Sequence, residues 1–206
     1  MKSRLLIEGK YDGGIVNRIC RRFELQIGDK FELVECGRIG ALLDQLTVDT
    51  RVDVVAVICD ADQDLVRRWD EIKGACSKGG LDLGNTVLPS SGLIWNEEKQ
   101  QKFACWVMPD NQTSGAIEGR LAAGHRDPLQ QGLHEQALAF VRGVQPRLFP
   151  NTVAADQKAG LRAWFAVQEE PVWVPSHAIA HQMLLPQLDR QDAFVQWLER
   201  VYALAG

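Results

Sequence analysis

The sequence predicts an α/β fold: a mostly parallel central sheet flanked by helices, followed by a helical C-terminal part. Three observations predict it. Strand-then-helix patterns repeat three times over residues 4–76, and repeated βα units build parallel, doubly wound sheets. Segment 52–59 (VDVVAVIC) is β-branched and nearly continuously apolar, as a strand covered on both faces must be. After Ser114 no convincing strand pattern remains, and apolar positions recur at helical spacing.

In chain order, residues 4–7 (RLLI) form a short apolar run ending at Glu8-Gly9, a buried strand and its turn. From Asp12 to about Leu25, Ile15, Val16, Ile19, Cys20 and Phe23 recur at three and four, so a helix follows with Asp12 at its N-cap. FELVEC at 31–36 alternates as a strand, Gly37 breaks it, and 39–46 reads as a second helix. The 52–59 strand runs into Asp60-Ala61-Asp62-Gln63-Asp64 and a helix over 62–76. Residues 77–92 are rich in Gly, Ser, Asn and Pro around a short strand at Thr86–Leu88. FACWVM at 103–108 is a further buried strand, ending at Pro109-Asp110-Asn111. Helical patterns then cover 115–123, 130–142, 153–168, 175–185 and 191–204. The last carries an apolar stripe of Phe194, Trp197, Leu198, Val201 and Tyr202 that belongs in the core.

This order divides the chain into an α/β domain over 1–125 and a helical region over 126–206 packed on it, or leaves one domain over 1–206. No internal repeat or linker separates them. The composition, 46% hydrophobic and 24% charged over 206 residues, is that of an ordinary globular protein. The apolar run before Glu8 is too short for a signal peptide, and no stretch is long enough for a membrane helix, so a cytoplasmic location is expected. Five cysteines without a CxxC pair read as buried free thiols. The net charge of −4 gives no general attraction for a polyanion, but it suits a carboxylate cluster that holds a divalent cation. Arg18, Arg21, Arg22, Arg67 and Arg68 read as solvated helix faces.

The chemistry is expected where strands end. Ligands of open parallel sheets bind beyond the carboxyl ends of the strands, and three apolar strands here end in acids: Glu8, then Asp60 with Asp62, then Asp110. Carboxylates gathered at one edge repel one another unless protonated or bridged by a cation. Mg²⁺, or Mn²⁺, prefers such oxygen ligands together with water and substrate phosphate. Asp64, in the first turn of the following helix, favours the helix dipole instead. Elsewhere the signals are weaker. His177 and His181 share a helical face at i, i+4, but no acid stands near them in sequence, so these two are read as surface or packing residues; His125 and His134 show no metal spacing. Gly13-Gly14 and Gly79-Gly80 lack the spacing of phosphate loops.

LLIEGKYD at 5–12, with VVAVICDADQD at 54–64, resembles the Toprim domain of topoisomerases, primases and related nucleases. The resemblance implies a Toprim-like fold in which Glu8 is the acid after the first strand and Asp60 and Asp62 are the DxD pair. EGKYD also has the acid-x-x-x-acid spacing of the overcoming-lysogenization-defect (OLD) nucleases, which implicates Asp12. WVMPDNQTSGAIEGRL and DQKAGLRAW are similar to segments of a small Toprim-like bacterial family, and on this ground Asp110, Glu118 and Lys158 join the set. The resemblance implies that Asp12, Asp60 and Asp62 hold one ion, and that Asp110 and Glu118 help hold a second. Glu8 is then a ligand or general base, and Lys158 offsets charge on the phosphate.

The expected activity is Mg²⁺- or Mn²⁺-dependent cleavage of DNA or RNA phosphodiesters, with Arg38 and Arg67 contacting the nucleic acid. Asp60→Asn is expected to weaken metal binding and leave the fold intact or slightly stabilised. An ATPase domain does not precede the Toprim-like unit here, so a separate ATPase partner or a homo-oligomer enters as an expected partner. The alternative is a non-catalytic Toprim-like module that binds nucleic acid or a protein. A haloacid-dehalogenase-like phosphatase fits less well, because its DxD follows the first strand and here it follows the third. A Toprim topoisomerase is disfavoured by the short chain, whose tyrosines are only Tyr11 and Tyr202.

Overall fold

The computed structural model describes residues 3–48, 52–96, 102–123, 127–169, 174–180, 184 and 188–205. Five strands form one sheet: β1 (Ser3–Ile7), β2 (Phe31–Glu35), β3 (Val54–Asp60), β4 (Leu93–Asn96) and β5 (Lys102–Met108). Their order is β2-β1-β3-β5-β4, with every neighbouring pair parallel except β4 and β5. The sheet is therefore mostly parallel, flanked by helices, and followed by a helical segment.

The strand sequences explain the layering. Side chains alternate across a strand, and β3 sends Val54, Ala56 and Ile58 into one core and Val55, Val57 and Cys59 into the other. All seven residues of β3 are buried, which is why its sequence is apolar without alternation. On one face lie α1 (Asp12–Arg22), α5 (Ile117–Ala123), α7 (Val153–Ala166), α8 (Pro175–Ala180) and α9 (Ala193–Leu204). On the other lie α3 (Ile39–Val48) and α4 (Leu65–Lys78). The helix α6 (Pro128–Gly143) packs along α7.

The C-terminal stripe shares the core of the sheet. Phe194, Trp197, Leu198 and Val201 of α9 are buried with Leu5, Ile58 and Trp106. The Trp106 ring lies 5.0 Å from Phe194 and 5.9 Å from Trp197 between centroids.

The structure differs from the sequence reading in several places. Thr86–Leu88 is not a strand: this stretch is irregular, and the Thr86 carbonyl accepts from the Trp69 indole at 2.9 Å. The short strand is instead β4, which pairs with β5 at the edge of the sheet. A one-turn helix α2 (Ile27–Lys30) precedes β2. The pattern over 175–185 gives a helix that ends at Ala180 within the described residues. Arg68 does not lie on a solvated face; it is buried.

All five cysteines are free. Cys20 is buried in the first core and Cys59, Cys76 and Cys105 in the second, while Cys36 is half-buried. Burial pushes the Cys20 and Cys76 thiols up to about 12. No helix among the described residues is long and apolar enough to cross a membrane.

Candidate active site

From β1 the chain crosses to β2 on one side and then returns past β1 to β3 on the other. That reversal opens a crevice between the carboxyl ends of β1 and β3, the place where open α/β sheets bind ligands. Glu8 and Asp60 stand there on neighbouring strands. Past the last paired residues, the Asp60 amide donates to Glu8 Oε2 at 3.0 Å, while the Glu8 amide donates to the Ile58 carbonyl at 3.0 Å. The sheet ladder itself fixes the Glu8 carboxylate against β3.

Asp60 is the buried centre, 4% exposed. Its Oδ1 accepts from the Ile117 amide at 3.0 Å, and its Oδ2 accepts from Lys158 Nζ at 2.9 Å. Asp12 enters from the first turn of α1, and its Oδ2 accepts from the Gly9 amide at 3.1 Å, closing the loop that follows β1. A Cβ at Gly9 would lie 2.1 Å from that oxygen. Gly9 thus permits the fold-back that brings Asp12 under the influence of Asp60 and Lys158. Gly9→Ala is accordingly expected to push the Asp12 side chain aside rather than unfold the chain. The melting temperature, read in a thermal scan, should stay almost unchanged.

Glu118 lies in the first turn of α5, and its Oε2 is buried with no hydrogen-bond partner. Burial, reinforced by the Asp60 charge, raises Glu118 to about 7, Glu8 to about 7 and Asp12 to about 6. Asp60 is also raised, by its burial, against the pull of Lys158. For Lys158, burial pulls downward, but Asp60, Glu118 and Asp62 together hold the ammonium above its ordinary value. Glu8, Asp12, Glu118 and Lys158 therefore each feel the charge of Asp60.

Two residues that the sequence reading did not place in the site hold it together. Buried Arg68 donates from Nε to the Asp60 carbonyl at 2.9 Å, from Nη2 to Asp62 Oδ2 at 2.6 Å and from Nη1 to Glu71 Oε2 at 3.2 Å. Asp62 sits at φ 54° and its amide donates to the Gly115 carbonyl at 2.8 Å, so its carboxylate faces Arg68. Gln157 accepts from the Ala116 amide at 2.8 Å. A Cβ at Gly115 or Gly119 would come within 2.8 Å or 2.4 Å of the Gln157 side chain. The four-residue spacing of those glycines is the signal of this close approach, which seats α7 and the adjacent Lys158 over β3.

The remaining candidates stand apart. Asp110 Oδ1 accepts from the amides of Gln112 and Thr113 at 2.9 and 2.8 Å, so its carboxylate is engaged within its own turn. Arg67 is exposed and pairs with Glu71 at 3.0 Å, and Arg38 is exposed in the turn before α3. His177 is exposed on α8, whereas His125 and His181 lie outside the described residues. As the side chains stand, no three His, Cys, Asp or Glu groups among the described residues converge closely enough to hold a metal ion.

Residues 2–203 match a protein family described as "Protein of unknown function (DUF3226)". No curated protein and no solved structure gives a significant match.

Proposed function

We propose that this chain, which belongs to the DUF3226 family, is a Toprim-like, Mg²⁺- or Mn²⁺-dependent nuclease acting on DNA or RNA phosphodiesters. The observation that carries this reading is the pairing of Glu8 with Asp60 at the carboxyl ends of β1 and β3, the Asp60 amide donating to Glu8 Oε2 and Lys158 donating to Asp60. The donor set fits a hard cation, because it is all carboxylate oxygen. The orphaned Glu118 Oε2 and the three carboxyls raised by burial fit it too, since for each of them burial outweighs the pull of the nearest lysine or arginine.

In this reading Asp60, Asp12, Glu8 and Glu118 would hold the cation. The ion supplies a Lewis acid and a lowered pKa for bound water. Asp62 is oriented by Arg68, and Glu8 also has the raised pKa of a general base that works near neutrality. Lys158 is half-exposed and can face an anionic phosphate. Asp110, bonded within its own turn, takes a loop-stabilising part in this scheme. Arg38 and Arg67 are the exposed cations assigned to the nucleic acid backbone. A cytoplasmic location accompanies the reading.

Wild-type protein is expected to nick supercoiled plasmid or single-stranded substrates weakly with Mn²⁺, and less as salt rises. Glu8→Ala, purified identically, should abolish this. Equal residual activity in wild type and Glu8→Ala, with both metals, would transfer the assignment to a non-catalytic nucleic-acid-binding or protein-binding module.

A further inference from the structure

We propose that the outward face of α6 is a docking surface for a second copy of this chain, whose own α6 packs on it antiparallel about a two-fold axis at Gln136. Such a dimer requires neither metal nor nuclease activity.

At 3.6 residues per turn, α6 divides into two faces. Gln130, Ala137, Leu138 and Val141 turn inward. Gln130 accepts from the Trp164 indole at 3.1 Å, Leu138 lies against Gly160, Ala137 packs on the first core and Val141 is buried. Leu129, Gly132, Gln136, Phe140 and Gly143 fall on the opposite face, which carries no charge. Leu129 and Phe140 are 67% and 69% exposed and stand about three turns apart on it. A single exposed apolar residue is ordinary; two of this size on one uncharged face form a patch that contact would cover. Glycine weakens a helix, yet nothing within the chain calls for it here. A Cβ at Gly132 or Gly143 would meet no other part of the chain within 4 Å, and neither residue has a positive φ. What these glycines supply is room for something outside the chain.

The occupant follows from symmetry and charge. In an antiparallel pair centred on Gln136, a residue a given number of places before it faces the residue as many places after it in the second copy. Phe140 then sits over Gly132 of the second copy and Leu129 over its Gly143, each large side chain in a place that a glycine leaves open. Gln136 meets Gln136, and because a primary amide both donates and accepts, the pair bonds to itself on the axis. The charges match as well. Glu135 and Arg142 share one flank of the face, with Asp127 at the N-cap. The two-fold brings like flanks together with opposite polarity, which sets Arg142 of one copy along the stretch from Asp127 to Glu135 of the other. Arg142 is 57% exposed at its side chain and is engaged by Asp156 through Nε, leaving its Nη groups to these acids. The helix dipoles oppose in the same arrangement. A foreign apolar helix could cover the face, but a second copy brings the bulky side chain, the gap and the opposite charge in one register.

The test is sedimentation equilibrium of the full-length chain alone, from low micromolar to several hundred micromolar. One helix pair is a small interface, so a monomer–dimer equilibrium with Kd on the order of 10 µM is expected. Phe140→Asp should raise Kd on the order of 100-fold, as for a buried aromatic anchor. Gly132→Leu should weaken the dimer too, by blocking Phe140 of the second copy, while raising the melting temperature of the dilute monomer by about 2–4 °C through helix propensity. Those opposite signs separate an interface from a structural part within the chain. Gln136→Cys should give a covalent dimer under mild oxidation, because that position meets itself on the axis. A wild type that stays monomeric at the highest concentration overturns the proposal. So does a dimer that Phe140→Asp and Gly132→Leu leave intact, since its contact would lie elsewhere, and so does a Gln136→Cys chain that associates without cross-linking.

Discussion

Asp60→Asn is expected to reduce metal-dependent cleavage by roughly 10³-fold, because it removes the charge around which the site is assembled. It is also expected to destabilise the metal-free chain. The asparagine carbonyl can still accept from the Ile117 amide, but its NH₂ would then face the Lys158 ammonium, donor against donor. A buried carboxylate that has lost its charge thus strands a lysine, at a cost of about 1–3 kcal/mol. From sequence alone, relief of carboxylate repulsion predicts the opposite, an unchanged or slightly more stable fold. The ion pair reverses the sign. Urea unfolding in EDTA checks it, and a midpoint at or above that of wild type would show that the Lys158–Asp60 pair contributes nothing to the metal-free fold.

The second large effect is the pH dependence of stability without metal. Glu8, Asp12 and Glu118 are raised, first by burial and then by the Asp60 charge, from ordinary values of 4.5, 3.8 and 4.5 to about 7, 6 and 7. Between those limits the folded chain holds protons that the unfolded chain has already released. Where the unfolded state binds fewer protons, stability falls as pH rises. The Lys158 contribution has the other form: its raised value gives stability that is complete below the ordinary lysine pKa, so it does not vary in this window. The metal-free protein should therefore lose on the order of 3 kcal/mol between about pH 5 and pH 8, less than the sum of three independent groups because they titrate as a coupled set. For a chain of this size that is a fall of about 6–12 °C in melting temperature. Millimolar Mg²⁺ should flatten the slope, since the cation favours the ionised carboxyls that burial opposes. Thermal scans across this range, with EDTA and with Mg²⁺, measure both, and a stability that rises with pH in EDTA would contradict the assignment.

Much of the sheet was legible because its strands are written in the pattern that burial on two faces demands. β3 is apolar up to Asp60 and β5 is apolar after Lys102, and the acids at or after the strand ends mark the carboxyl edge. β4 was missed for a physical reason. Four residues give too few alternations to fix a period, and Leu93–Asn96 is preceded by the same loop-like Ser and Gly that surround Thr86–Leu88. The candidate site divides similarly. Glu8 and Asp60 follow from strand ends, whereas Asp12, Glu118 and Lys158 came from the resemblance, because no spacing rule links positions in different helices. Arg68 was read as solvated because its neighbour Arg67 is. Adjacent helical positions point in different directions, and only the path of β3 shows that one of them reaches the Asp60 carbonyl. Gln157 and the engagement of Asp110 within its own turn depend on loop conformations that composition does not encode.

The division of the cysteines between the two cores gives the molecule an internal record of its own opening. Cys20 lies on the buried face of α1, and Cys59, Cys76 and Cys105 lie on the side of α3 and α4. Their thiols are inert while covered, since a buried thiol held far above its ordinary pKa supplies almost no thiolate. Alkylation of Cys20 therefore counts excursions of one helical layer, and alkylation of the other three counts excursions of the opposite layer. The crevice opens at the edge of the sheet that divides these cores, so the two labelling rates separate a breathing motion of one layer from global unfolding.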